Sequence, residues 1–251
     1  MYREPQAGLT AARPVCWCTD VMDAPVYKVR RAIVAPEHRG AWEGPAWSRA
    51  PKMAIAHFHP RSTDHRPVAE AALLYDDDHL HALFRVADRY VRAIHTAYDS
   101  DTFKDSCVEL FIQPPGRIGY FALEVNAGGA FSLRYIEDPT RTSNRFARWV
   151  MVAAEDAATI RVAHLLPAVV EPERTDPVDW WVELSWPFAA MEPYCGPVRP
   201  VHGQRWRANA FKCADQTSHP HWASWAPIGE ALNFHQPAFF GRLELAETAE
   251  G

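Results

Sequence analysis

The amino-acid sequence predicts an all-β protein, an antiparallel β-sandwich of the immunoglobulin-like or jelly-roll type with long loops. Three observations carry that expectation. Short apolar runs recur along most of the chain with turn residues between them, the pattern of many short strands. Prolines (21) outnumber glycines (12) and interrupt any long helical period. Ten Trp, twelve Phe and eight Tyr supply the flat, bulky side chains that fill a sandwich core.

In chain order, strands are expected at Lys52–Phe58, Val68–Tyr75, His79–Val86, Cys107–Gln113, Tyr120–Asn126 and Ala130–Ile136. They continue at Trp149–Ala154, Ile160–Leu166, Trp180–Trp186, Trp206–Lys212 and Phe239–Leu245. Asp76-Asp77-Asp78 separates two apolar runs and signals a hairpin, and Gly128-Gly129 after Asn126 signals another tight turn. Helix is confined to a short turn at Pro187–Met191, where Pro suits a first helical position. Residues Asp88–Asp105 lack a clean period and are expected to form a long functional loop.

No repeat, low-complexity segment or linker divides the chain. A flexible N-terminal arm (1–13), a single domain (14–246) and a C-terminal tail (247–251) are expected. With 26 basic against 31 acidic residues, the formal charge of −5 lacks the concentrated basic field that nucleic acid requires. No apolar run nears the roughly 20 residues of a membrane span, and the first residues lack a signal-peptide core. Nucleic-acid and membrane partners are therefore not expected, and a cytoplasmic location is the default. Five cysteines at irregular spacings read as free, mostly buried thiols.

Strand alternation assigns faces. Val108, Leu110 and Ile112 share one face of their strand, and Phe121, Leu123 and Val125 share one face of the next, both directed at the core. Arg207, Asn209 and Phe211 lie opposite Trp206, Ala208 and Ala210. If these strands share a sheet, its outer face displays Glu109, Glu124, Asn126, Arg207 and Asn209 together. Such a mixture of donors and acceptors beside aromatic residues suits the hydroxyl groups of a sugar, although an ordinary solvated sheet face has a similar composition.

From about Ala46 to Leu245 the chain resembles the family 9 carbohydrate-binding modules. The segments GPAWSRAPKM, LLYDDDHLHALFRVAD, DSDTFKDSCVELFIQP, YFALEVNAGG, WWVELSWPF, HWASWAPI and NFHQPAFFGRLEL carry the resemblance, through their order and spacing together. It implies a β-sandwich that binds mono- or oligosaccharides between two aromatic side chains, with calcium at structural positions, in the setting of polysaccharide catabolism. Carried over by position, Glu109 and Asn126 correspond to polar sugar contacts and Phe103 to one sandwiching aromatic. Trp225 corresponds to the other, with Trp222 as the alternate. Phe103 stands where Trp is typical, and Tyr98 is a substitute for it. Modules of this family are usually secreted, in contrast to the default location above.

The function expected is therefore non-catalytic saccharide binding, with no cofactor required. Asp99, Asp101 and Asp105 precede a strand and offer oxygen ligands for calcium, the other reading being a solvated acidic loop. Glu109 and Glu124 form a conceivable glycosidase pair, so a glycan-processing hydrolase is one alternative. A haem-binding sandwich with Met151 and a histidine as axial ligands is another. The group Cys213, Asp215, His219, His221 and His235 lacks any standard zinc spacing, and Cys16-Trp-Cys18 is weaker still.

Overall fold

The computed structural model describes residues 24–142 and 145–247. The N-terminal arm, Cys16, Cys18 and the tail beyond Glu247 lie outside the described residues. The elements are β1 (Val26–Arg31), β2 (Met53–Ala54), β3 (His57–Phe58), β4 (Val68–Tyr75), β5 (His79–Asp88) and β6 (Val91–Ala93). They continue with β7 (Cys107–Gln113), β8 (Tyr120–Asn126), β9 (Phe131–Thr142), β10 (Arg145–Met151), β11 (Arg161–His164) and β12 (Val170–Arg174). The last are β13 (Val178–Pro187), β14 (Arg205–Cys213), β15 (Trp222–Ser224) and β16 (Gly241–Ala246). Helix is limited to single turns, among them Thr102–Lys104 and Phe188–Ala190.

Most strands join one curled sheet in the order β10-β9-β8-β7-β14-β16-β1-β4-β5-β13-β11. Its two halves fold over a common core in the manner of a β-sandwich, so that Phe121 on β8 meets Trp186 on β13 edge-on at 5.5 Å. The hairpin expected at Asp76 is present, with one carboxylate oxygen accepting the backbone N–H groups of Asp78 and His79. Gly129 closes the other tight turn at φ +84°, and a Cβ there would collide with the His164 ring.

Three expectations are corrected. The sheet is mixed, because β1 runs parallel to both β16 and β4 and links the two halves. The segment Asp88–Asp105 is not one long loop: β6 within it pairs with β12, and Thr102–Lys104 forms a 3-10 turn. The outer face of β7, β8 and β14 is not solvated, since both faces of β7 and β8 are buried throughout. Residues 226–240 cross that outer face, where Ile228, Phe234 and Phe240 pack on Phe111, Tyr120 and Phe211.

A buried ion pair lies between the halves. Lys212 on β14 reaches across the core to Asp88 at the end of β5, 3.4 Å away, with neither side chain exposed. Asp88 also accepts hydrogen bonds from the Trp180 indole (3.3 Å) and the Arg89 backbone (2.8 Å), and one oxygen lies 2.7 Å from His65 Nε2. Lys212 donates to His221 Nε2 at 2.7 Å, while His221 Nδ1 lies 2.8 Å from the His219 carbonyl, the arrangement of a neutral ring. Burial, then the neighbouring ammonium, pushes His221 down from 6.5 to about 3. Burial, the largest single influence, would raise Asp88, but Lys212, His65, His221 and the Arg89 N–H together outweigh it and hold the carboxyl well below the usual range.

Removing one partner of a buried pair leaves an uncompensated charge. Lys212→Met is therefore expected to cost about 3–5 kcal/mol in denaturant unfolding. Acid has a definite sign as well. An unfolded histidine takes up a proton near 6.5 whereas folded His221 resists to about 3, so stability is full above the first value and declines toward the second. The slope from this residue reaches about 1.4 kcal/mol per pH unit, to be read from urea unfolding between neutral pH and pH 4.

Candidate functional site

On the covered outer face a cavity of about 450 Å³ remains open between the sheet, the β9–β10 hairpin and the crossing segment. Its floor is set by strand register. Glu109 on β7 pairs directly with Glu124 on β8, and Glu124 with Ser132 on β9. Across the other side of β7, Cys213 on β14 pairs with Cys107. Residues two apart on a strand share a face, so Cys107, Glu109, Glu124 and Cys213 form one patch.

The walls are aromatic. Trp222 begins β15 opposite Cys213, and its indole donates to Asp215 at 2.6 Å. The Asp215 backbone N–H donates to the Phe103 carbonyl (3.3 Å), and the Gln216 N–H to the Lys104 carbonyl (2.9 Å). These bonds hold the 3-10 turn bearing Phe103 against the loop that precedes Trp222. Phe146 and Trp149 from β10 and Phe234 from the crossing segment line the remainder, with Arg134 and Arg141. The Arg141 guanidinium stacks 4.0 Å from the Phe146 ring and donates to Asn233.

The floor carboxyls resist ionisation. Burial, then the neighbouring Cys213 and Glu124, push Glu109 well above the usual carboxylate range. Glu124 is also raised by burial, against the opposing pull of Arg134 (3.5 Å) and a hydrogen bond from Ser132 (3.1 Å). Burial raises Asp215 too. His235 is pushed down to about 3 by burial, then by Arg141, and its Nδ1 lies 2.9 Å from the Tyr120 hydroxyl. A neutral carboxyl both donates and accepts, which matches a polyhydroxylated ligand.

Of the residues named from the sequence as sugar contacts, the structure brings Phe103, Glu109, Glu124 and Trp222 to the cavity. Trp225 is not there: it is 8% exposed, packs edge-on against Tyr27 at 6.4 Å and belongs to the core. Residues three apart along an extended segment face opposite sides, so Trp222 and Trp225 cannot share one surface. Tyr98 is also elsewhere, its hydroxyl donating to the Val152 carbonyl at 2.6 Å and its ring lying against Phe131.

Asn126, Arg207 and Asn209 are taken up by the backbone. Asn126 accepts from Gly128 and Ala130 and donates to the His95 carbonyl and Asp105. Asn209 exchanges hydrogen bonds with Ala226, and Arg207 donates to the carbonyls of Ala238 and Phe240. The last two therefore clamp the ends of the segment that covers the sheet. Sequence reasoning misses Phe146 and Trp149. Register shifts within β10 place them on one cavity although their spacing is odd, which a strict period of two does not foresee.

The aspartates proposed for calcium do not converge. Asp99 pairs with Arg134 at 3.2 Å and Asp101 with Lys104 at 2.6 Å. Asp105 is fully buried, with one oxygen accepting the N–H groups of Ile94 and His95 and the Asn126 amide. As a trio these residues do not fit a calcium cage. Met151 does not line the cavity either, so a haem ligand pair is not assembled there.

Glu109→Gln tests the neutral-acid reading. A carboxyl raised on folding contributes stability below its ordinary pKa and loses it as pH rises through the raised value. The amide has no such loss, so the melting temperature of the variant relative to wild type is expected to climb with pH in parallel thermal scans. A difference that stays flat across pH would contradict it.

The fold is shared with solved structures. A candidate carbohydrate-binding protein from Bacteroides uniformis ATCC 8492 superposes with a TM-score of 0.77 at 22% identity, covering 88% of this chain and 99% of that one. A family 9 carbohydrate-binding module from Caldicellulosiruptor kristjanssonii in complex with cellotriose gives 0.59 at 15% identity, covering 90% and 96%. The glucose complex from the same organism gives 0.57 at 14% identity, covering 89% and 98%. No curated protein matches the chain. The sequence profile of carbohydrate-binding family 9 matches residues 47–245, and the chain belongs to that family.

Proposed function

We propose that this protein binds a mono- or oligosaccharide in the cavity above β7 and β8 and does not cleave it. One observation carries the reading: an aromatic wall built from Trp222 and Phe103 stands beside a floor of buried carboxyls that resist ionisation. A pyranose has an apolar face of C–H groups and an equator of hydroxyls, and such a site serves both. Membership of a carbohydrate-binding family supports this, as do the cellotriose and glucose held by structurally similar modules.

The geometry of the acids favours binding over hydrolysis. Glycosidases place two carboxyls on either side of the scissile bond. Glu109 and Glu124 are direct cross-strand neighbours on one sheet face and approach a ligand from the same side.

Calorimetric titration against a panel of mono- and disaccharides is expected to give dissociation constants of roughly micromolar to millimolar. Covering about 80 Å² of ring against the Trp222 indole contributes roughly 2 kcal/mol at about 25 cal/mol per Å². Trp222→Ala should then weaken binding by roughly 30-fold with the fold intact. Trp225→Ala should do the reverse, costing about 3–5 kcal/mol of stability with little change in the affinity of the folded protein. No heat from any sugar, or affinity lost through Trp225 alone, would overturn the assignment.

A further inference from the structure

Besides its aromatic wall, the cavity has a corner rich in sulfur. Cys107 and Cys213 are direct cross-strand partners on β7 and β14, and Glu109 lies two residues beyond Cys107 on the same face. The two sulfurs and a Glu109 oxygen all lie within 4.8 Å of one another, and Cys213 Sγ donates to Glu109 Oε1 at 3.1 Å. All three side chains are buried, yet Glu109 and Cys213 border the open cavity. We propose that Cys107, Glu109 and Cys213 form a binding site for a zinc-class divalent cation whose fourth ligand enters from the cavity.

Two ligands at i and i+2 on one strand with a third on the adjacent strand make a triangle on one sheet face. That triangle is the base of a tetrahedron. Zinc–sulfur bonds of about 2.3 Å and zinc–oxygen bonds of about 2.0–2.2 Å set ligand–ligand edges of roughly 3.5–3.8 Å, within reach of this cluster by side-chain adjustment alone. Two thiolates select a borderline-soft ion and disfavour calcium or magnesium, which take oxygen ligands. Three protein ligands leave a fourth position open, unlike a closed four-ligand structural zinc site. Thiols must lose their protons to ligate, so the cation's affinity rises with pH. The site rests on the sulfur and carboxyl geometry and not on sugar binding, although Glu109 would serve either occupant.

Cobalt(II) is the direct probe, because thiolate ligation gives a charge-transfer band in the near ultraviolet that oxygen and imidazole ligands do not. The hairpin group Asp76, His79 and His81 therefore stays silent in this readout. Fully reduced protein should develop the band up to one cobalt per chain and lose it when zinc is added. Cys107→Ala and Cys213→Ala should each abolish it, whereas replacing Cys16 and Cys18 by Ala should leave it unchanged. Glu109→Gln should weaken cobalt binding by about tenfold or more. Zinc should raise the melting temperature of wild type more than that of either cysteine variant, with near-ultraviolet circular dichroism confirming that those variants fold. No band in reduced wild-type protein would overturn the proposal. So would a band that survives in the folded Cys107→Ala and Cys213→Ala variants.

Discussion

A lysine ammonium and an aspartate carboxylate, both shut off from solvent, meet between the two halves of this sheet, and the cavity face is laid out around them. Charge cannot remain in an apolar interior unless it is paired and hydrogen-bonded, so the Lys212–Asp88 contact fixes where the end of β14 must lie relative to β5. Strand alternation then converts that inward anchor into an outward one. Lys212 points into the core, so Cys213 points to the cavity. His221 turns inward to accept from Lys212, so Trp222 turns outward to become the wall. Two consecutive residues on each of two paired segments thus tie the interior ion pair to the cavity-facing surface.

The face opposite the core gains its chemistry from being covered. Were β7 and β8 open to water, Glu109 and Glu124 would be ordinary carboxylates and their pairing across the strands would be repulsive. The segment 226–240 excludes water from one part of this face, and Asn209 and Arg207 hold its ends through backbone carbonyls. The carboxyls left beside it keep their protons to higher pH. A polar floor results whose carboxyls ionise less readily than exposed ones. The same seclusion lets two thiols and a carboxyl lie together.

Much of this architecture is legible in the amino-acid sequence. The strands at Val68–Tyr75, Cys107–Gln113 and Tyr120–Asn126 coincide with expectation because each combines period-two alternation with a clear turn signal. Core faces follow from the same alternation, as at Trp206, Ala208 and Ala210. The pairing of Lys212 with Asp88 is not legible, since nothing local marks a pairing over so long a sequence separation. β1 escapes detection because its partners, β16 and β4, are parallel and distant, and neither leaves a hairpin signal nearby.

The family resemblance names Phe103 and Glu109, which line the cavity, but it favours Trp225, a core residue, over the alternate Trp222, which is the one at the cavity. Asn126 and Asn209 are misread for a physical reason: an amide on a sheet face looks the same in sequence whether it meets a ligand or the backbone of a covering segment. The contribution of the β9–β10 hairpin is hidden because irregular register moves Phe146 and Trp149 off strict alternation.

A crystal structure of the protein with a bound disaccharide tests the central claim most directly. The account predicts a sugar ring lying against the Trp222 indole, with hydroxyls within hydrogen-bond distance of Glu109 and Glu124. A disaccharide seated instead in the groove beside Trp225 and Lys52, with the cavity above β7 and β8 filled only by solvent, would contradict it.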